Sequence, residues 1–585
     1  MRLMSIEINN FRGIKHSVII FPRDSRIVCL IGAGDSGKST LLKAIEWVLW
    51  PSWSLLATDT DFYNCNVNQS ITITASISEV PEVLLKDDKF GLYQRDFEGI
   101  FLNNDEPKDN GIAVLTIRLT IDSSLEPKWD IITSRMEPKT INQKDRKLLS
   151  FGFVGLEPEK DFLWGRNSVL QKYTDSHDAL HNAFTQAMRN AVENTNLNQL
   201  DKTSPKIKSI GNEYGVSFNG ELHNRLLMQN GSYSTTVGVF DDRVPFSQRG
   251  LGSKKLLSIG MNVDSFADGT LVLIDEIETG LEPYRISTLI NQLRSQFKEN
   301  GQLIMTTHSR SVVCECTVDE LCVVNTSDKE VKVCRLNEIE NIQGDIQGIV
   351  RGEPDAFLCK RIIVCEGKTE IGLLRALDSD LYKKTKTRFA YYGIGTALGG
   401  GGIKSFRLAA LLKNCGYDCC IFMDSDISSE EKQKEEMKDL EIPVFSWEAG
   451  NAIEEQIFKD ASIQCAEQLI ALAVEQRSIQ SIVARLDNEF KGQEKEYCVD
   501  TECNAVILCG DDNGKVSIDT LRRIGTVAKG KRNKKGEYEG DWFKRIDLGQ
   551  KMGEIIFKSK DQIKKGSCFR KVMASLLVWV TGHEN

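Results

Sequence analysis

Eight residues near the start of the chain, Gly32 to Ser39, read GAGDSGKS and match G-x-x-x-x-G-K-[ST]. This stretch constrains the fold more than any other, because its glycines work only between a buried strand and the start of a helix. Upstream, Ser25 to Ile31 (SRIVCLI) is a β-branched apolar run that predicts such a strand. Downstream, Thr40 to Trp50 (TLLKAIEWVLW) has helical apolar spacing. Gly32, Gly34 and Gly37 let the backbone turn tightly around Asp35 and Ser36, so that successive N–H groups face a phosphate at a helix N-terminus that begins near Thr40. Lys38 then reaches the β/γ-phosphates, and the Ser39 hydroxyl helps hold Mg²⁺. The ligand expected is ATP.

The rest of the chain supplies the parts an ATPase needs. Leu271 to Ile274 is a buried apolar run ending in Asp275-Glu276. A carboxylate at the carboxyl end of a strand, beside a phosphate loop, puts negative charge where Mg²⁺ and an attacking water need it. Asp275 is read as holding the metal through water, and Glu276 as polarising the water. Gln302 to Thr307 (QLIMTT) predicts a further strand, with His308 at its tip placed to sense the γ-phosphate. Ser247, Gly250 and Gly252 lie in a Ser/Gly loop (SQRGLGS) that opens a helical run, a second anion site. Leu3 to Phe21 alternates as two strands about the turn Asn10 to Gly13. Arg12 in that turn is read either as a turn residue or as stacking over an adenine ring.

A length of 585 residues suggests roughly three or four domain-sized units. The net charge of −9 means that a nucleic-acid partner must meet a local basic patch. No apolar run of membrane-spanning length and no signal-peptide core is seen, so no membrane is expected. The sixteen cysteines form no C-x-x-C pair and read as reduced, buried thiols of a cytoplasmic protein. Ile71 to Ile77 and Ile112 to Ile121 predict sheet strands. Asp175 to Leu200 reads as a polar helix, and its His177 and His181 as a solvated face rather than a zinc site.

In order, the phosphate loop, SQRGLGS, Asp275-Glu276 with GLEP, and TTHS form the motif set of ABC-type ATPases, and INNFRGI resembles the SMC, Rad and RecF branch of them. The resemblance implies two heads sandwiching ATP, the signature of one completing the site of the other. The part between residues 40 and 246 lacks long heptads and implies a compact relative.

A second set of acids lies further on. Arg361 to Cys365 is an apolar run delivering Glu366, and Asp418 to Asp426 (DCCIFMDSD) is another, delivering Asp424 and Asp426. In a parallel sheet these strand ends meet. Carboxylates that converge without a basic partner call for a divalent cation, and oxygen ligands alone favour Mg²⁺ or Mn²⁺. E-G-x-x-E, the glycine turn Gly399 to Gly402 and D-x-D together resemble a Toprim domain. An ABC-type ATPase followed by Toprim in one chain resembles the OLD (overcoming lysogenization defect) nuclease family. That resemblance implies Glu366 as metal ligand or base, Glu370 as a second-site ligand, and Asp424 and Asp426 on metal. It implies a further acid, Glu454 or Glu455, and a C-terminal lysine, Lys544 or Lys551.

The expectation is an α/β chain in three parts. An ABC-type ATPase head covers residues 1–345, with a helical, dimerising insertion at about 150–235. A Toprim domain covers 355–460, and a helical C-terminal extension 461–585 completes the nuclease site. The activity expected is an ATP-regulated DNA endonuclease, in which two cations would activate water and steady the leaving oxygen. It would act in anti-phage defence as a homodimer or larger assembly, with room for a further protein or nucleic-acid partner. The basic stretch Lys529 to Lys535, with Arg522 and Arg523, is read as contacting the DNA backbone or as a solvated loop. The rival expectation is an ATP-gated scaffold or sensor whose acidic cluster is silent.

Overall fold

A computed structural model describes residues 1–52, 55–98, 102–103, 106–108, 111–149, 151–164, 169–173, 198–228, 235–265, 269–327, 330–339, 345–427, 431–493, 495–500, 502–510, 515–532 and 538–582. The chain divides into two compact units, Met1–Glu338 with Ile346–Pro354, and Ile339–Asp345 with Asp355–Asn585.

The first unit is built on one long mixed sheet. Ten of its fourteen strands, in chain order, are β1 (Arg2–Phe11), β2 (Ile14–Ile20), β3 (Ile27–Ile31), β4 (Ile71–Ser78), β5 (Ile112–Ile121), β6 (Phe151–Val154), β7 (Leu271–Ile274), β8 (Gln302–Thr306), β9 (Leu321–Ser327) and β10 (Glu330–Arg335). They lie in the order β6-β7-β8-β3-β9-β10-β2-β1-β4-β5. The run from β6 to β9 is parallel, with Leu303 beside Ile27 and Leu321 beside Cys29. β2, β1, β4 and β5 pair antiparallel. The parallel half is buried on both faces: β3 and β7 are unbroken apolar runs, and β8 is buried along its whole length around an apolar Leu303–Met305. β1 and the first half of β4 alternate instead, as half-buried strands do. Three helices concern the site: α1 (Lys38–Val48), α2 (Leu251–Ser265) and α3 (Pro283–Gln296).

Part of the expected insertion belongs elsewhere. β6 is an edge strand of the main sheet, parallel to β7, and Leu222–Met228 is a strand paired with Thr235–Asp241. The 150–235 stretch is therefore not purely helical. Four residues of FGFV are too short a run to announce a strand, and their pairing partner is far away in sequence. The polar helix with His177 and His181 lies outside the described residues.

The second unit has a four-stranded, fully parallel sheet of β11 (Arg361–Cys365), β12 (Ile394–Leu398), β13 (Asp418–Met423) and β14 (Val444–Ser446), in the order β12-β11-β13-β14. Strand order reverses between β11 and β13, and a crevice opens at the carboxyl ends of strands at such a switch. Helices α4 (Lys368–Thr385), α5 (Ile403–Asn414), α6 (Ile453–Asp460), α7 (Ile518–Lys529), α8 (Ile546–Phe557) and α9 (Cys568–Thr581) complete the part of this unit that bears on the site. A single apolar core runs from Ile363 through Phe458, Leu469 and Ile524 to Val580. No structural boundary falls at residue 460, because described residues beyond it, from Cys465 to Val580, share that core with the sheet.

Among the described residues no helix is long and apolar enough to cross a membrane. Cys65, Cys498, Cys503 and Cys509 are exposed, against the expectation of buried thiols.

Candidate functional site

The phosphate loop leaves β3 and enters α1. Gly32 has φ +140° and passes so close to β9 that a Cβ there would stand 2.4 Å from the Val324 carbonyl oxygen. Gly37, at φ +93°, is the N-cap of α1. Only glycine meets both demands. Lys38 is 3% exposed and folds back on the loop. Its ammonium donates to the Gly32 and Ala33 carbonyls at 3.0 and 2.7 Å and to Ser36 Oγ at 3.2 Å. Burial pulls its pKa down to about 8, against the opposing charges of Asp275, Asp35 and Glu276.

β7 and β8 present the remaining polar groups. The Ser39 hydroxyl donates to Asp275 Oδ1 at 3.1 Å, and the Thr306 hydroxyl donates to the same oxygen at 2.6 Å. Ser39 and Asp275 thus meet where the sequence places Mg²⁺, and their hard oxygens suit that ion. Glu276 has φ +45°; its N–H donates to Thr306 Oγ1 at 2.8 Å and its Oε2 accepts from Thr279 at 3.2 Å. His308 is exposed at the tip of β8, and partial desolvation of its ring, with the charge of Lys38, lowers its pKa. Its N–H donates to Glu278 Oε1 at 2.7 Å. Gly34 and Asp35 are exposed on the loop, and Thr40 lies in the first turn of α1.

Arg12 does not lie free. Its guanidinium pairs with Asp61 Oδ1 at 2.9 Å and sits over the Phe11 and Trp47 rings at 5.3 and 5.7 Å. Ser247 and Gly250 stand before α2, and Gly252 is in its first turn. A Cβ on Gly252 would meet the Gly280 carbonyl oxygen at 2.3 Å. Sequence reasoning missed Lys255 on α2, fully buried, which donates to the Asp275 carbonyl at 2.8 Å and that of Gly155 at 2.9 Å. α2 is thereby tied to the strand end that carries Asp275. The available signal is that Lys255 shares one helical face with the apolar Ile259 and Val263.

In the second unit, Glu366 follows β11 and Asp424 follows β13, on either side of the switch point. The Asp424 N–H donates to Glu366 Oε2 at 2.9 Å. Asp424 Oδ1 accepts the Ile453 N–H at 2.8 Å, fixing the start of α6 and with it the next residue, Glu454. Glu370 lies in the first turn of α4 and is 2% exposed. Lys544 precedes α8, which crosses α4 almost backbone to backbone: a Cβ on Gly372 would stand 2.4 Å from the Ile546 carbonyl oxygen. The Thr369 hydroxyl donates to the Phe543 carbonyl at 3.2 Å beside it.

Burial pushes Asp424 well above the usual carboxylate range; the charges of Glu370, Glu366 and Glu454 add to this, while Lys544 opposes it. Burial raises Glu370 to about 7 against the same Lys544, with Glu366 and Glu454 adding. Glu454 is 0% exposed, and neither carboxylate oxygen accepts a hydrogen bond. The Lys544 ammonium is 3.6 Å from its Oε1. The structure thus brings Glu366, Glu370, Asp424, Glu454 and Lys544 together, Glu370 included although it was expected at a second site. Lys551, the alternative lysine, is exposed on α8. Asp426 and Glu455 turn instead to Lys529, at 2.8 and 3.4 Å. Lys529 is therefore not part of a free basic patch, and residues 533–535 of that stretch lie outside the described ones. Among the described residues no three or more His, Cys, Asp or Glu side chains are arranged as a ready metal cage. The oxygen-only donors and the unsatisfied, buried Glu454 nevertheless fit a hard divalent cation.

Residues 27–315 match the family described as "AAA domain, putative AbiEii toxin, Type IV TA system". No curated protein matches the chain. Similar solved structures include a SmcHead bound to the C-winged helix domain of ScpA, at 14% identity and TM-score 0.36, covering 57% of this chain and 97% of that one. An SMC head domain from Thermotoga maritima is similar at 14% identity and TM-score 0.30, covering 57% and 99%. A Smc head domain with an extended coiled coil, bound to the C-terminal domain of ScpA derived from Pyrococcus furiosus, is similar at 14% identity and TM-score 0.36, covering 57% and 95%. The chain carries an ATP-binding ATPase domain.

Proposed function

We propose that this ATPase governs a divalent-metal-dependent DNA endonuclease, with a Toprim-type site of the OLD kind in residues 355–585. The observation that carries the reading is Glu454, a carboxylate removed from water with no hydrogen bond to either oxygen. An ionised carboxylate so placed costs several kcal/mol unless a cation completes it. One ammonium stands 3.6 Å away, among three further acids.

Glu366, Glu370, Asp424 and Glu454 would hold Mg²⁺ or Mn²⁺ at the switch-point crevice. A bound divalent ion supplies an activated water and a positive clamp on a phosphodiester. Asp424 orders the site, since its N–H holds Glu366 and its Oδ1 holds the start of α6. Lys544 would neutralise charge growing on the phosphorus oxygens. In the ATPase domain, Ser39 and Asp275 would share Mg²⁺, Lys38 would swap its loop carbonyls for phosphate oxygens, and Glu276 would orient water. Two chains would pair so that Ser247 to Gly252 of one closes over the phosphate loop of the other. Nucleotide state would then set DNA access to the acidic site. A defence role is supported by the OLD resemblance and by the toxin in the description of the matching family.

The test is plasmid nicking with Mg²⁺ or Mn²⁺ while ATP is titrated. Wild type should cut and Asp424→Ala should not; equal cutting by the two removes the acidic cluster from the mechanism. The lack of a ready cage among the described residues favours a second reading, an ATP-gated scaffold that binds nucleic acid or a partner. Protein that binds DNA and metal yet never cuts supports that reading.

A further inference from the structure

Beside the first group of acids lies a second, to which the chain supplies its own cation. Lys529 Nζ is 2.8 Å from Asp426 Oδ2 and 3.4 Å from Glu455 Oε2, and the three side chains are 17%, 11% and 8% exposed. Glu455 is held from other sides as well, accepting the Ala452 N–H at 2.9 Å and the Thr526 hydroxyl at 2.8 Å. Lys529 is the last residue of α7, and α7 lies close against α6. A Cβ on Gly525 would stand 2.6 Å from the Glu455 Cα. Main-chain packing therefore sets where this ammonium sits.

Asp426 is the residue that a two-cation arrangement would recruit, being two positions beyond Asp424. Here that role meets an obstacle. A divalent ion on Asp426 would have to expel the ammonium or stand beside it at low dielectric, where like charges repel strongly. At Glu454 the cation stands further off, with Lys544 Nζ 3.6 Å from its Oε1.

We propose that Lys529 takes the place of a second metal ion. The acidic centre then binds one divalent cation per chain, at Glu366, Glu370, Asp424 and Glu454, and Lys529 is the fixed positive charge over Asp426 and Glu455. The inference rests on the metal-dependent reading above, and Lys529 is a positioning residue in it.

The experiment is Mn²⁺ binding to the full chain without nucleotide, followed by calorimetry for the count and by electron paramagnetic resonance for spin coupling between neighbouring ions. Asp424→Asn tests the underlying reading and should remove one Mn²⁺; an unchanged count overturns that reading and this inference with it. Asp426→Asn tests the inference alone and should leave the Mn²⁺ count as in wild type. Lys529→Met should gain one Mn²⁺ and show a spin-coupled pair absent from wild type, and adding Asp426→Asn should cancel the gain. A lost ion in Asp426→Asn, a coupled pair already present in wild type, or a folded Lys529→Met that gains nothing overturns Lys529 as the stand-in while leaving the reading intact. Should Lys529→Met fail to fold, the wild-type spectrum and Asp426→Asn decide.

Discussion

Lys38 and Glu454 are both charged residues shut away from water at the centre of a site, and they are held differently. Lys38 donates three hydrogen bonds to its own loop. Glu454 accepts none, and its nearest cation is 3.6 Å away. On the proposed reading, ligand binding at the phosphate loop would be an exchange, in which phosphate oxygens replace carbonyls that already satisfy the ammonium. At the acidic cluster it would be an addition, because a cation would supply what the fold leaves out. The second site would then store a cost that the cation relieves.

The largest expected effect lies on the side of addition. Lys544→Ala should lower the rate of plasmid nicking by about 10² to 10³, the loss typical of one preorganised charge at a reacting oxyanion. Lys551→Ala should nick at the wild-type rate, since that side chain is exposed on α8. The reverse pattern would place the wrong cation in the cluster.

Next comes the stored cost itself. Mn²⁺ at a hundredfold excess over its dissociation constant should stabilise the second unit by about 2.7 kcal/mol. That corresponds to a rise of about 5–10 °C in Tm for a body of this size. Chelation should reverse the rise, and Glu454→Gln should abolish it in a thermal melt. A rise of equal size in Glu454→Gln would show that the buried carboxylate is not what the ion relieves.

The exchange side should respond less. Lys38→Ala removes charged hydrogen bonds worth about 1.5–3 kcal/mol. ATP affinity in calorimetry should fall by about tenfold to a hundredfold. Because the two sites sit in separate compact units, the Mn²⁺-dependent melt should keep its shift in this variant. A lost shift would tie the two sites together.

What could be read in the chain beforehand follows the same division. Gly32 to Ser39 and Asp275-Glu276 were legible because each is a local run whose meaning lies in the strand just before it. Glu366 and Asp424 were legible for the same reason, as acids that end apolar runs. The choice between Glu454 and Glu455 was not, since it depends on Asp424 Oδ1 seating the start of α6. Lys529 looked like one member of a basic loop. Its partner Asp426 lies about a hundred residues earlier, and only the close packing of α7 on α6 joins them. β6 is not announced by the sequence, because four residues carry too little periodicity to declare a strand.

The smallest of these effects bears on how the addition site is held open. Lys544 reaches Glu454 because α8 can approach α4 without side chains between their backbones. Gly372 has the Ile546 carbonyl oxygen 2.4 Å from where a Cβ would stand, and Gly549 has the Thr369 carbonyl at 2.7 Å. Neither neighbour is a flexible side-chain tip, so the helices themselves must part. Gly372→Ala should therefore cost about 1–3 kcal/mol of unfolding free energy, the range for overpacking a filled core. Measured by denaturant melts alone, that loss would look purely structural. Parting the helices also draws Lys544 away from the acids, so nicking should fall further than Asp424-dependent Mn²⁺ binding does. If both fall together, the crossing holds the whole cluster and not the lysine in particular.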